Sequence, residues 1–341
     1  MKFITNILGN LTSSADLHYV IESKEWSIYW DGRYITENLK GLIKTRLTTT
    51  PWGIRNSIIH FGSLSTLRDV HLSNKVVLTC FHVAPNDARV ETTRRAWKYI
   101  DIVHTSNKIT MNKLIEMGAS QEKTVVIPLG VDLGLFKPVS PEEKQRIRRH
   151  LGIPEGAIVI GNFMKDGTGW NAGMEPKWIK GADVFADVVG ELKRVYGKDI
   201  FVLLTGAARG HMKKELEKRG VPYKHVYTNY QEIPKYYNAL DLYIVTSRVE
   251  GGPKAILEYM ASGVPIVSTR CGMAPEVIQD GVNGMLADVD DRAGLLEKSL
   301  EVIENWTTAK TMVMNGIWTA KNHSWKKIAE RYYNEIYSRL L

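Results

Sequence analysis

The stretch that most constrains this 341-residue chain is residues 241–269, DLYIVTSRVEGGPKAILEYMASGVPIVST. Residues 241–245 are a short run of apolar β-formers, the pattern of a strand covered on both faces. Residues 254–261 are helix formers. Pro253 suits the first helical position, where its missing N–H would go unpaired anyway. Gly263 closes that helix, and residues 264–268 begin another strand. A strand, a Gly251-Gly252 turn, a helix and a second strand place unpaired N–H groups just beyond a strand's carboxyl edge. The positive end of the helix lies there too, so the unit suits a phosphate.

Two carboxylates flank this turn. Glu250 stands at its mouth, and Glu258 is expected about two turns into the helix. A carboxylate gains nothing from a bare phosphate but accepts hydrogen bonds from sugar hydroxyls. A ligand with phosphates in the middle and a sugar at each end fits both: a nucleotide-sugar. The Glu, seven residues, Glu spacing followed by Gly-Val-Pro-Ile-Val resembles the donor-site signature of the family 4 retaining glycosyltransferases. The resemblance implies an α/β chain of GT-B fold, with two Rossmann-like domains facing across a cleft and a C-terminal helix crossing back to the first. It also implies that Glu250 faces the transferred sugar and Glu258 holds the ribose hydroxyls.

At this length two domains are expected, and 44% hydrophobic with 24% charged residues is ordinary for a globular protein. No run approaches the ~18 apolar residues of a membrane span, and residues 1–11 are too weakly patterned for a signal peptide. Cys80 and Cys271 form neither a disulfide framework nor a metal spacing. A cytoplasmic location is expected, with loose peripheral contact at the inner face of a membrane as a lesser expectation. The net charge of +8 is read as attraction for an anionic donor; no aromatic-interleaved nucleic-acid motif accompanies it.

In chain order, residues 2–8 read as a first strand, 9–14 as its loop and 15–23 as a helix. Gly9 then corresponds to the family's glycine-bearing loop on the acceptor side. Strands are expected at 26–30, 57–61 and 76–81, the last delivering His82 at a carboxyl end; the resemblance implies that it serves as an acceptor contact or proton relay. Residues 101–105 and 125–128 are strands, and 108–117 a helix capped by Ser106. Residues 127–138 resemble the segment closing the family's first domain. The expected division is 1–139, then a donor domain at 140–320 behind the linker 138–141, and a returning helix at 321–341.

In the second domain, helix 142–151 and strand 157–161 lead to the loop 162–169. The family carries an Arg after Gly161; here Asn162 stands there, and Lys165 is the candidate replacement on the diphosphate. Trp170 and Trp178 mark a long loop. By resemblance Lys180, before Gly181, reaches the diphosphate. A lysine at the start of helix 182–196 opposes the dipole unless an anion is near. Strands follow at 200–205 and 223–227, with Tyr230 a candidate against the base. Lys254 is expected to reach the sugar or phosphate, and Asp291 to cap helix 293–303.

The expected activity is metal-independent sugar transfer from a UDP-, GDP- or ADP-sugar to a carbohydrate or lipid-linked hydroxyl acceptor. Glu250, Lys180 and His82 would serve the chemistry. Gly251, Gly252, Lys254, Glu258, Lys165, Asn162 and Tyr230 would hold the donor, with no metal or other cofactor. Retention, by same-face attack with the leaving phosphate as base, comes from the resemblance alone. A non-catalytic nucleotide-sugar-binding scaffold, or another GT-B enzyme such as an epimerase or phosphorylase, remains open.

Overall fold

The computed structural model describes residues 2–23, 27–83, 93–169, 171–196 and 199–341. It divides into two compact units, residues 1–130 with 323–341, and residues 131–322.

The first unit carries α1 (Lys2–Leu11), β1 (Leu17–Val20), α2 (Ser27–Asn38), β2 (Thr45–Thr48), β3 (Ile58–Phe61) and β4 (Lys75–Thr79). β5 (Ile102–Thr105), α3 (Lys108–Glu116) and β6 (Thr124–Val126) follow. The sheet order is β2-β1-β3-β4-β5-β6, with every pairing parallel. β1 and β3 are buried along their whole length, as strands covered on both faces must be.

The N-terminal expectations are overturned. Residues 2–11 form a helix, not a strand, and Gly9 lies within it against the Arg46 guanidinium. The first strand is 17–20, inside the stretch read as a helix, and the described part of 26–30 opens α2. In residues 2–8 the apolar positions 3, 4, 7 and 8 fit a helical period as well as a strand, and the strand reading took the wrong one. The helix at 108 is capped by Asn107 rather than Ser106; its side chain accepts from Thr110 N at 2.7 Å.

In the second unit α4 (Pro141–Leu151) leads to β7 (Ile158–Asn162), α5 (Ala182–Tyr196), β8 (Ile200–Thr205), α6 (Gly210–Lys218) and β9 (Tyr223–Val226). Then come α7 (Ile233–Tyr237), β10 (Leu242–Val245), α8 (Ala255–Ala261), β11 (Ile266–Thr269), α9 (Ala274–Val277) and β12 (Met285–Ala287). α10 (Arg292–Glu304) and α11 (Trp306–Asn322) complete it. The parallel sheet runs β12-β11-β10-β7-β8-β9. Its core packs Val184, Phe185, Val188 and Leu192 of α5 against Ile160, Val202 and Leu242 of the strands. Each such side chain contributes about 1.5–3 kcal/mol on burial. The order reverses between β7 and β10, so a crevice at their carboxyl ends is built into the topology.

The last helix, α12 (Trp325–Glu335), and the turn after it belong to the first unit and are tied to its sheet by buried polar contacts. His60 Nδ1 meets Tyr337 Oη at 2.7 Å and its Nε2 meets Thr79 Oγ1 at 2.7 Å. Thr79 continues to His104 Nδ1 at 2.9 Å; His104 Nε2 lies 2.9 Å from the Ile127 carbonyl and 3.0 Å from Tyr332 Oη. Burial lowers the pKa of His104 to about 4, and that of His60 well below its ordinary value.

Both rings are neutral in the folded protein, whereas in the unfolded chain they titrate near ~6.5. Their contribution to stability is therefore complete above that value. It falls as pH drops toward the folded values, by up to about 1.4 kcal/mol per pH unit for each ring. Calorimetric scans between pH 7 and pH 5 should show a falling Tm, with a shallower slope in His104→Gln. An unchanged slope would refute the assignment.

Candidate functional site

The carboxyl ends of β7 and β10 bring together the residues after Asn162 and after Val245. The Lys180-Gly181 pair enters this crevice for a steric reason. Gly181 has φ +62°, and a Cβ there would lie 1.9 Å from the Thr246 carbonyl oxygen. Only glycine allows this approach. Thr246 Oγ1 donates back to the Gly181 carbonyl at 2.9 Å, and Arg248 N donates to the Ile179 carbonyl at 2.9 Å. Residues 179–181 thus run along 246–249, with Lys180 in a single 3-10 turn just before α5.

Lys180 Nζ donates to Glu250 Oε1. Ser247 Oγ donates to the same oxygen at 3.0 Å. The Glu250 turn is backed by Gly272, whose Cβ position is 2.8 Å from the Glu250 carbonyl, and by Met273 N, which donates to the Gly251 carbonyl at 3.1 Å. Cys271 lies beside it; burial first and then the Glu250 charge push its thiol up to about 12. It is a packing residue, not a nucleophile.

Lys165 and Lys177 belong to the same crevice. Lys177 N donates to the Asp166 carbonyl at 2.6 Å, and Lys180 N to the Lys177 carbonyl at 2.9 Å. Burial lowers the pKa of both ammonium groups; for Lys177 the charges of Lys165 and Lys180 add to this, and Glu250 opposes it. Lys180 and Lys177 both feel the Glu250 carboxylate, and Lys165 adds a third ammonium beside Lys177, which leaves excess positive charge where an anion would bind.

The loop carrying Lys165 and Lys177 is held by a residue the sequence reading passed over. Arg209, wholly buried, donates to Asn162 Oδ1 at 2.6 Å, to the Met164 carbonyl, and pairs with buried Asp166 at 3.0 Å. Asp166 Oδ1 and Arg209 Nε have no hydrogen-bond partner among the described residues. The neighbouring Ala208 sits at φ +58°, and a Cβ added at Gly167 or Gly173 would lie 2.3 Å from its backbone. Strain and an incompletely satisfied buried ion pair are costly, and they persist where the surroundings over-determine them. Asn162 is consequently 1% exposed with its amide oxygen occupied, which removes it as an open donor contact. A second clamp is Arg248, bidentate on Asp183 at 2.9 and 2.7 Å and on Asp290 at 2.8 Å. Neither arginine was legible from spacing, because their partners lie roughly 40 or more residues away.

Glu258 is 5% exposed. It accepts from Tyr230 Oη at 3.2 Å and Tyr237 Oη at 2.5 Å. Tyr230 therefore serves this carboxylate and packs edge-on to Phe136 at 5.8 Å. α8 begins at Ala255 with Lys254 as N-cap, so Pro253 precedes the helix and Glu258 stands in its first turn, not its second. Gly251 and Gly252 form the turn ahead of it. Asp291 caps α10 by accepting from Gly294 N at 2.9 Å.

In the first unit, His82 follows β4 at its carboxyl end and is half-buried. There the strand order reverses between β1 and β3, so the crevice falls at Glu22 and Gly62-Ser63, not at Gly9. Ser65 donates to Glu22, which the sequence reading did not single out. A cavity of 890 Å³ lined by Leu67, Leu72 and Tyr99 opens at the amino end of β4, away from that sheet's carboxyl edge. Trp170 lies outside the described residues.

Two parallel-sheet Rossmann-like halves are the fold of the GT-B glycosyltransferases. The HepE protein of Anabaena, solved with UDP-glucose, superposes with a TM-score of 0.78 at 16% identity, covering 95% of this chain and all of that one. Residues 168–305 match the family described as "Glycosyl transferases group 1". An uncharacterized glycosyltransferase of Methanocaldococcus jannaschii is 33% identical over 32% of this chain and 32% of its own length. The lipopolysaccharide core biosynthesis mannosyltransferase of Rhizobium meliloti is 25% identical over 76% of this chain and 68% of its own. The chain thus spans about a third of the first of these curated relatives and about two thirds of the second.

Gly181→Ala should destabilise the protein by about 2–4 kcal/mol, through backbone strain and displacement of residues 179–181. Urea denaturation at equilibrium checks this, and an unchanged midpoint would contradict the close-approach argument.

Proposed function

We propose that this chain is a metal-independent, retaining glycosyltransferase that takes its sugar from a nucleotide diphosphate-sugar. The observation that carries the reading is the Lys180–Glu250 pair at the sheet's switch point, with Lys165 and Lys177 beside it. The UDP and UDP-glucose held by the Anabaena structures support UDP as the first nucleotide to test.

In the proposed reaction the bond between the anomeric carbon and the diphosphate oxygen breaks, and the diphosphate leaves with the electron pair. The acceptor hydroxyl oxygen bonds to the anomeric carbon on the same face and gives its proton to the departing phosphate. Charge grows on the diphosphate and positive character on the sugar. Lys180 swings from Glu250 to the phosphate oxygens, joined by Lys177 and Lys165. Preorganised donors of this kind are worth roughly 3–4 kcal/mol each. The freed Glu250 carboxylate then faces the sugar. Glu258 uses the lone pairs left by the two tyrosines to accept from ribose hydroxyls. Lys254 and the Gly251-Gly252 N–H groups complete the donor contacts, and His82 serves the acceptor. A carbohydrate or lipid-linked hydroxyl is the acceptor class. Because ammonium groups neutralise the leaving group, the reaction needs no divalent ion.

The occupied Asn162 side chain favours one rival, a non-catalytic nucleotide-sugar-binding protein, because the position that carries an arginine in the family offers the diphosphate nothing here. Multiple turnover of UDP-sugar by the purified chain excludes it. Calorimetric titration with UDP, GDP and ADP should show binding of one nucleotide, unchanged by chelator. Glu258→Gln should weaken it about tenfold or more with the thermal midpoint checked in parallel; equal affinity sinks the ribose role. Lys180→Ala should reduce turnover by about a hundredfold or more. Lys177→Gln should weaken UDP more than UMP, and equal losses would remove Lys177 from the diphosphate.

A further inference from the structure

α1 is docked the wrong way round for a core helix. Its two asparagines face the protein: Asn10 Nδ2 donates to the Thr50 and Trp52 carbonyls at 2.9 Å each, and Asn10 Oδ1 accepts from Arg46 Nε at 3.2 Å. Thr48 Oγ1 donates to Asn6 Oδ1 at 3.2 Å, and Gly9 lies against the Arg46 guanidinium. The apolar row points outward. Ile4, Leu8 and Leu11 are 62%, 59% and 62% exposed, and Trp52, whose carbonyl Asn10 grips, is 53% exposed. Positions i, i+4 and i+7 share one stripe of a helix, so the three aliphatic side chains form one ridge.

The segment on which α1 docks is basic. Residues 3–15 contain no charged residue, and residues 40–56 contain Lys40, Lys44, Arg46 and Arg55 with no Asp or Glu. Asp16, which accepts from Lys44 N at 3.2 Å, stands at the border of this face.

We propose that α1 and the adjoining Trp52 segment bind the surface of an anionic lipid bilayer, the helix lying in the plane of the interface. Leu8, Leu11 and Ile4 enter the boundary between headgroups and acyl chains, Trp52 sits at headgroup depth, and Lys44 and Arg55 meet the lipid phosphates. Apolar insertion and basic attraction together are what in-plane binding requires. A second copy of this chain fits less well, because it would set the same cations against one another. The inference gives a surface to the membrane contact expected from the net charge and does not rest on the transferase reading.

The test is co-sedimentation of the full chain with phosphatidylcholine vesicles, with and without phosphatidylglycerol. Binding should be confined to the anionic vesicles and fall several-fold when salt rises from about 0.1 M to about 0.5 M. The triple variant Ile4→Ser, Leu8→Ser, Leu11→Ser should lose about tenfold or more in binding. Its side chains are solvent-exposed, so an unchanged thermal midpoint is expected. Lys44→Glu with Arg55→Glu should weaken binding with the ridge intact. Equal binding by the triple variant, or no preference for anionic lipid, overturns the proposal. So does a concentration-dependent dimer, seen by light scattering without vesicle binding and abolished by the triple variant, which would make a second copy the occupant.

Discussion

The crevice of the second unit depends on one close approach of backbone to backbone, Gly181 against Thr246. A parallel sheet that reverses direction between β7 and β10 leaves a gap at its carboxyl edge, but a gap has no chemistry. The missing Cβ at 181 lets the chain between two helical segments drop onto the end of β10. That drop sets Lys180 against Glu250. Any other residue there would push the lysine away from the carboxylate and leave both charges half-buried without a partner, which is the expensive way to lose an ion pair.

Around that contact the protein spends stability on position. The buried Arg209–Asp166 pair leaves polar atoms unsatisfied, and Ala208 takes a left-handed conformation where the Gly167 and Gly173 backbones approach it too closely to carry a Cβ. Arg248 ties the β10 turn to Asp183 at the head of α5 and to Asp290 before α10. These clamps use arginine because its fork can satisfy carbonyls and carboxylates together. The result is a set of like-charged lysines held near one another, an arrangement that an anion relieves. In the first unit the polar interior has another role. Neutral buried histidines and tyrosines fasten α12 to β3, β4 and β5, binding the end of the chain to its beginning.

Much of the fold was legible in the sequence. Residues 200–205 and 241–245 read as buried strands and are so, within a residue, because a run of β-branched and aliphatic residues has few other homes. The Glu250 turn and the cap at Asp291 were legible for the same reason, each being a local pattern with a local cause, whereas the Lys180-Gly181 pair was singled out through the family resemblance. The misreadings have local causes as well. Residues 2–11 carry apolar pairs compatible with two periods, and the helix they form turns its polar side inward, against the ordinary rule. Shifting that element displaced the first crevice from Gly9 to Glu22.

By itself, the sequence determined an α/β chain and the strand–turn–helix that offers Glu250. Those follow from periodicity, propensity and backbone freedom, which act over a few residues. Only the tertiary structure decided that Asn162 serves Arg209, that Tyr230 and Tyr237 occupy Glu258, and that Lys177 joins the crevice. Each is a contact between residues distant in sequence, set by how strands order themselves in a sheet. No local pattern records that order.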